Sequence, residues 1–315
     1  MHAPWRIAAL AVLAIALPAQ AQHRHRHSSS DDDAVLSRLD TTVTIGKSAT
    51  VDLQGFSGDI TVTGWDRDQV KVHAVSMSRL RFDSSPSRVS LSESPVDGDY
   101  DEDDDNHTGF EISMPKSGRL LLRTVSGDVK VHDVADVEAH AVSGDVDVEN
   151  VASHAVVESV SGDVTAIHVS GGARLNSVSG SIEARAIAGE VAAQSVSGDI
   201  TLDDVRSAFV RTETVSGDSK FTGPIDPKGR YEFHSHSGDV EVDLAGGGDD
   251  ATLEMETYSG DLDTPCKMTL QPGGSGDRMG KRGIYTLGHG GGAHFILKTF
   301  SGDVRISGCR SHGDN

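Results

Sequence analysis

An aspartate that returns at a fixed place in a repeated tripeptide is the main ionisable feature of this chain. Asp128, Asp145, Asp163, Asp199, Asp218, Asp239, Asp261 and Asp303 each close a Ser-Gly-Asp triplet. Carboxylates gathered in one groove could serve as general acid and base, as in glycoside hydrolysis. That chemistry needs two carboxylates in different surroundings, whereas these recur because the turn holding them recurs. We read them as turn residues and assign no catalytic residue. Stacked ~4.8 Å apart, neighbouring carboxylates would repel by roughly 1 kcal/mol in water-like surroundings. Hydrogen bonds from turn amides are the expected compensation, with shared calcium as the alternative. Calcium-binding nonapeptide repeats read Gly-Gly-x-Gly-x-Asp, richer in glycine than this triplet, so no obligatory calcium is expected.

The other candidate ligands are weaker. Asp97 to Asp105 holds seven acidic residues in nine, but it lacks the fixed glycine and closing glutamate of an EF-hand, so the 97–107 stretch reads as a solvated loop. His23, His25 and His27 alternate with Gln or Arg in a polar tract, where nothing preorganises a metal site. His132, His140, His154 and His168 fall at different phases of the repeat and read as surface residues. No metal ligand and no cofactor are assigned, and the binding residues stay open.

The chain has 315 residues and a formal net charge of −20, which disfavours nucleic acid and anionic lipid as general partners. It begins with an export signal: Met1 to Arg6, the apolar run Ile7 to Leu17, and Ala19-Gln20-Ala21 as a cleavage site. Eleven apolar residues fall short of the ~20 that span a bilayer, so residues 1–21 read as a removable signal and no span is expected afterwards. Removal takes Arg6 with it and leaves the chain one charge more negative. Residues 22–40 follow as a disordered His/Ser/Asp-rich arm. Periplasm, cell surface or exterior is the expected location.

What positions the aspartates is a repeat. Ser-Gly-Asp occurs ten times, against about 0.5 expected by chance from composition. The copy at Ser275 sits among glycines and reads as loop. With degenerate copies included, the central glycine falls at 162, 171, 180, 189 and 198, a spacing of nine; elsewhere the spacing runs from 17 to 22. Apolar residues alternate, as in Val125, Val129, Val131 and Val134, or Val160, Val164 and Ala166, and we take these as one inward face of short strands. Gly58, Gly127, Gly144, Gly162, Gly180, Gly198, Gly217, Gly238, Gly260 and Gly302 are the expected structural turns, where a positive φ is needed. Helical spacing is absent. The pattern predicts an all-β fold, a single-stranded parallel β-helix of about 18 residues per coil and roughly ten coils. Such a rod buries only a thin aliphatic stripe, which suits a chain with 4% aromatic residues.

Two segments leave the period. Residues 41–120 contain Phe56-Ser57-Gly58-Asp59-Ile60 and two alternating runs across Asp66-Arg67-Asp68, and read as an N-terminal coil or cap, with Trp65 covering the open edge. The array proper is placed at 121–310, with a Gly-rich excursion leaving the rod at 272–292. Cys266 and Cys309 occupy nearly the same place after Gly260 and Gly302, so stacked coils would bring them within disulfide reach.

The Val-Ser-Gly-Asp-Val units, the early Gly-Asp-Ile-Thr-Val-Thr-Gly-Trp at 58–65 and the final Phe-Ser-Gly-Asp-Val-Arg-Ile at 300–306 resemble a bacterial family of unknown function whose members are called putative adhesins. The likeness covers about residues 41–309. It implies a right-handed β-solenoid in an envelope or secreted protein and transfers no catalytic residue.

The expected function is therefore that of a non-enzymatic exported solenoid, an adhesin or envelope scaffold. It would present a repetitive acidic surface to a cell-envelope or extracellular component, whether protein, glycan or cationic peptide. The alternative is a regulatory protein sensing envelope stress or cationic peptides, and the third reading is a carbohydrate-active β-helix enzyme.

Overall fold

The computed structural model describes residues 37–94, 108–245, 250–271 and 281–309. These described residues all belong to one compact unit. All regular structure in the described residues is β-strand, and it forms one 13-stranded and one 14-stranded sheet. Two strands and their corner make the recurring unit. Ala155–Ser161 lies in the larger sheet, Gly162 and Asp163 turn the chain, and Val164–Val169 lies in the smaller one.

The chain then returns to its starting side one strand further on. Val137 lies opposite Ala155, Ala155 opposite Ala173, and Ala173 opposite Val191, all in parallel register and 18 residues apart. Later pairings open to Val191 opposite Val210 and Val210 opposite Tyr231, where insertions lengthen the connection.

Alternation fills the interior. Val146, Val148 and Val164 on one side meet Ala155, Val157 and Leu175 on the other, all almost fully buried. Each buried valine contributes roughly 1.5–3 kcal/mol by leaving water. The middle of the array uses small side chains such as Ala139, Ala166, Ala184 and Ala193, while the buried rings lie toward both ends. Phe56 meets Phe110 edge-on at 4.4 Å, and Tyr231 stacks on Phe295 at 4.6 Å.

Both ends depart from simple parallel stacking. At the start, Gly109–Pro115 inserts between Asp59–Trp65 and Gln69–Ser76, parallel to the first and antiparallel to the second. Ser37–Thr44 then pairs antiparallel with Gln69–Ser76 as the outermost strand. These three strands, Gly109–Pro115, Gln69–Ser76 and Ser37–Thr44, cover the edge that Trp65 was expected to cover. The Trp65 indole N–H instead donates to the carbonyl of Gln69 at 2.7 Å, and the Arg67 guanidinium lies over its ring. Ser37–Thr44 also corrects the expected arm at 22–40, whose last four residues are strand because an open sheet edge is there to pair with. Likewise, the array's first strand, Arg119–Ser126, begins two residues before the expected 121.

At the other end, the strands latest in the chain are not the last in space. Ala293–Ser301 lies between Arg230–Ser237 and Ala251–Ser259. Val304–Ser307 likewise lies between Val240–Asp243 and Leu262–Asp263. The excursion expected at 272–292 is in part a correction too: Lys281–Leu287 is a strand that pairs antiparallel with Ala251–Ser259 and Met268–Leu270, because Ala251–Ser259 would otherwise end the sheet with an open edge. The signal at 1–21, the arm residues 22–36, the acidic loop 97–107 and the triplet at Ser275 lie outside the described residues.

Candidate functional site: a rail along the corner

The residue before each corner serine faces outward. In Ala155–Ser161 the inward positions are Ala155, Val157 and Ser159, so Val156, Glu158 and Val160 point away from the core. This overturns the inward placement of Val125 and Val160, which are 51% and 49% exposed. Strand alternation is correct on each side of the corner, but the Gly-Asp turn resets its phase, so counting across it gives the wrong face.

The inversion has a physical reason. The buried position two residues before the corner serine is a hydroxyl in most coils, and that hydroxyl ties the corner. Ser195 donates to the carbonyl of Gly180 at 3.2 Å, Ser235 to Gly217 at 3.2 Å, Thr257 to Gly302 at 2.9 Å and Thr299 to Gly238 at 2.9 Å. The Ser159 hydroxyl is the one buried side-chain oxygen or nitrogen without a partner among the described residues. With a small polar residue turned inward, the next position must turn outward, and in most coils it is valine.

The result is a rail. In spatial order it runs Val125, Val142, Val160, Val178, Val196, Val215, His236, Phe300 and Tyr258, each preceding a corner serine, with most of those serines directly paired from coil to coil. Seven of the eight exposed large hydrophobic residues among those described lie on it, so outward apolar surface is concentrated here. At its far end His236 stacks on Phe300 at 5.0 Å and Phe300 on Tyr258 at 4.7 Å. At its near end the rail stops. Register shifts around Gly55 turn Phe56 into the core, and Thr124 donates to its carbonyl at 3.0 Å.

Beside the rail run the serines and then the aspartates. Most of the aspartates are linked to the next through the backbone: Asp145 N–H donates to Asp128 at 3.0 Å, Asp163 to Asp145 at 2.8 Å, Asp218 to Asp199 at 2.8 Å, Asp239 to Asp218 at 2.8 Å, Asp303 to Asp239 at 2.8 Å and Asp261 to Asp303 at 2.8 Å. Ser181 interrupts the row; its amide donates to Asp163 at 2.7 Å. Of the corner aspartates only Asp261 has an ion-pair partner among the described residues, Lys281. Many outward carboxylates elsewhere are paired, as Glu138 is with Arg119 and Glu254 with Lys298 and Arg282.

The ten predicted turn glycines all sit at this corner. Nine have positive φ, and a Cβ on Gly162 (φ +143°) would also lie 2.1 Å from the carbonyl oxygen of Gly144. Gly260 is the exception, because its φ is not in that region; the lack of space decides there, since a Cβ would lie 1.9 Å from the Gly302 oxygen. Cys266 and Cys309 form a disulfide with Cα atoms 5.9 Å apart. His132, His140 and His154 lie on the surface beside Glu149, Glu138 with Glu158, and Asp136 respectively. No three His, Cys, Asp or Glu side chains are placed to hold a metal ion among the described residues.

The rail itself was missed in the sequence. The available signal was that valine precedes the triplet so often while a small hydroxyl or alanine stands two residues before the serine.

Stacked parallel coils with an exposed rail define a class: an all-β solenoid whose distinctive surface is a linear, repeated corner. Residues 35–226 match the Toastrack DUF4097 family, and the chain belongs to it. No curated protein matches the chain. Among solved structures, a putative adhesin from Bacteroides fragilis is 16% identical, with a TM-score of 0.44, covering 86% of this chain and 97% of its own. A putative cell adhesion protein from Clostridium sporogenes is 9% identical, with a TM-score of 0.31 and coverages of 87% and 100%. A putative lipid binding protein from Parabacteroides distasonis is 12% identical, with a TM-score of 0.33 and coverages of 85% and 96%.

Proposed function

We propose that the protein is an exported, non-enzymatic binding scaffold of the adhesin kind, which holds a cell-envelope or extracellular component along the corner rail. The observation that carries this reading is the concentration of exposed apolar side chains, Val125 through Tyr258, in one line beside a row of largely unpaired carboxylates. A chain that exposes a line of apolar side chains has a use for it, since such surface costs solubility. The groups along the rail are near-equivalent from coil to coil. Equivalent groups favour holding an elongated partner at many points, whereas acid–base chemistry needs two carboxyls tuned apart. We take the solenoid as right-handed, with about 18 residues per coil and roughly ten coils, so the rail follows the stack of corners from coil to coil.

The test is binding of the purified mature protein to a panel of envelope glycans, peptidoglycan, cationic peptides and envelope proteins, with a turnover assay on the same glycans. Saturable binding lost in a Val160→Ser, Val196→Ser double variant, without turnover, supports the reading. Glycan cleavage, or binding indifferent to the rail, overturns it.

A further inference from the structure

We propose, resting on the reading of the rail as the binding surface, that its partner is a cationic amphipathic polypeptide lying along the solenoid axis. Apolar side chains of that partner would cover Val125 through Tyr258, and its Lys or Arg side chains would meet the aspartate row.

Charge complementarity selects this occupant. The apolar rail is one residue wide, and beyond the serine row exposed aspartates recur on coil after coil, with Asp128, Asp145, Asp163, Asp199 and Asp218 making no ion pair among the described residues. Those carboxylates repel one another, and the backbone amides that satisfy one oxygen of each carry no full charge, so a row of cations is the natural complement. A partner must therefore alternate apolar and cationic groups along a line, as a polypeptide with period-two or helical patterning does.

Other occupants fit less well. A glycan would use ring faces as platforms, but His236, Phe300 and Tyr258 stack at interplanar angles of 8° and 3°, which turns their faces toward one another and their edges to solvent. A one-residue-wide rail cannot engulf an acyl chain, and the aspartates repel anionic headgroups. A second copy of the chain would bring two aspartate rows together on a molecule of net charge −20.

Nine rungs at the ~4.8 Å spacing of paired strands give a rail of roughly 40 Å, about 12 residues of extended chain. The probe is accordingly a peptide of six Lys–Leu repeats, titrated against the full mature protein at low and moderate salt. Two controls have the same length: Lys–Ser repeats keep the charge without the apolar face, and Glu–Leu repeats keep the apolar face with the opposite charge.

Lys–Leu is expected to bind, with both controls weaker by about tenfold or more. Val160→Ser with Val196→Ser should weaken it by about tenfold. Asp163→Asn with Asp199→Asn should weaken it severalfold and flatten its salt dependence. The asparagine oxygens can still accept the amide bonds from Ser181 and Asp218, and the valines are exposed or nearly so, so all four substitutions leave the fold's internal contacts in place; a melting curve checks this. Equal binding of Lys–Ser, or Lys–Leu binding untouched by either double variant, overturns the proposal. If the rail variants lose an envelope ligand while Lys–Leu fails to bind, the rail stands as the site and this partner class falls. If neither ligand responds to the rail, both readings fall.

Discussion

The carboxylate of Asp145 accepts a 2.8 Å hydrogen bond from the backbone amide of Asp163, the equivalent residue one coil further along the solenoid. The same link joins most of the corner, so an acidic side chain does here what a backbone carbonyl does within the sheets. Asp145→Asn keeps the acceptor and removes one charge from a repelling row, and is expected to leave stability unchanged or slightly raised at low salt. Asp145→Ala strands the Asp163 amide without its partner and should cost about 1 kcal/mol. Urea melts of the two variants at two salt concentrations check both values.

Gly162→Ala should be far more damaging. It places a side chain on a backbone at φ +143° and drives the new Cβ to 2.1 Å from the Gly144 carbonyl oxygen. Neither the turn nor the stacked coil can yield without breaking neighbouring ladder bonds. A loss of about 3 kcal/mol or more is expected in thermal or chemical denaturation.

The opposite substitution should help at Ala186, a left-handed position held by a residue other than glycine. Ala186 holds φ +53°, a left-handed conformation that costs an L side chain roughly 1–2 kcal/mol and glycine nearly nothing. After allowing for the greater freedom of glycine in the unfolded chain, Ala186→Gly should gain about 0.5 kcal/mol. A rise in the denaturation midpoint with an unchanged slope is the expected observation.

The disulfide closes a 43-residue segment that contains the entire inserted coil. In the chain-entropy model a loop of that length is stabilised by about 4 kcal/mol. A Cys266→Ser, Cys309→Ser variant should lose up to that amount. Protection of the Ala293–Ser301 amides against hydrogen exchange should drop before that of Ala155–Ser161, because the loss is local to the last coils.

Acid should destabilise the fold in two steps. Burial depresses His234 below the ordinary 6.5, so the folded state holds it neutral and binds fewer protons than the unfolded chain. Its contribution is present above pH 6.5 and is lost as pH falls through the folded value. Burial alone would raise Glu254, but Lys298 and Arg282 outweigh it and hold the carboxyl below 4.5. Hydrogen bonds from His140 and then Arg119 lower Glu138 in the same way. Those contributions are present above pH 4.5 and disappear below it. The melting temperature should therefore be level above about pH 7 and fall in both windows. His234→Gln should remove the upper step alone.

Much of the architecture was legible from residue spacing. The recurrence of Gly144, Gly162, Gly180 and Gly198 marked the corners and the step between stacked strands, because a corner that packs backbone on backbone admits only glycine. Cys266 and Cys309 were equally readable, since equivalent places in adjacent coils lie a strand spacing apart. The face of each strand was not so fully determined. Alternation fixes which residues share a side, but the turn at Gly162 resets the phase, and only the packed structure shows that Ser159 is inside and Val160 outside. The order of the coils is also tertiary. Gly302 stacks on Gly238 and Gly260 on Gly302, because the last coil fills a slot between two earlier ones. Local sequence specifies a strand and its turn, while the choice of neighbouring edge depends on which edges remain unpaired once the rest of the chain has packed.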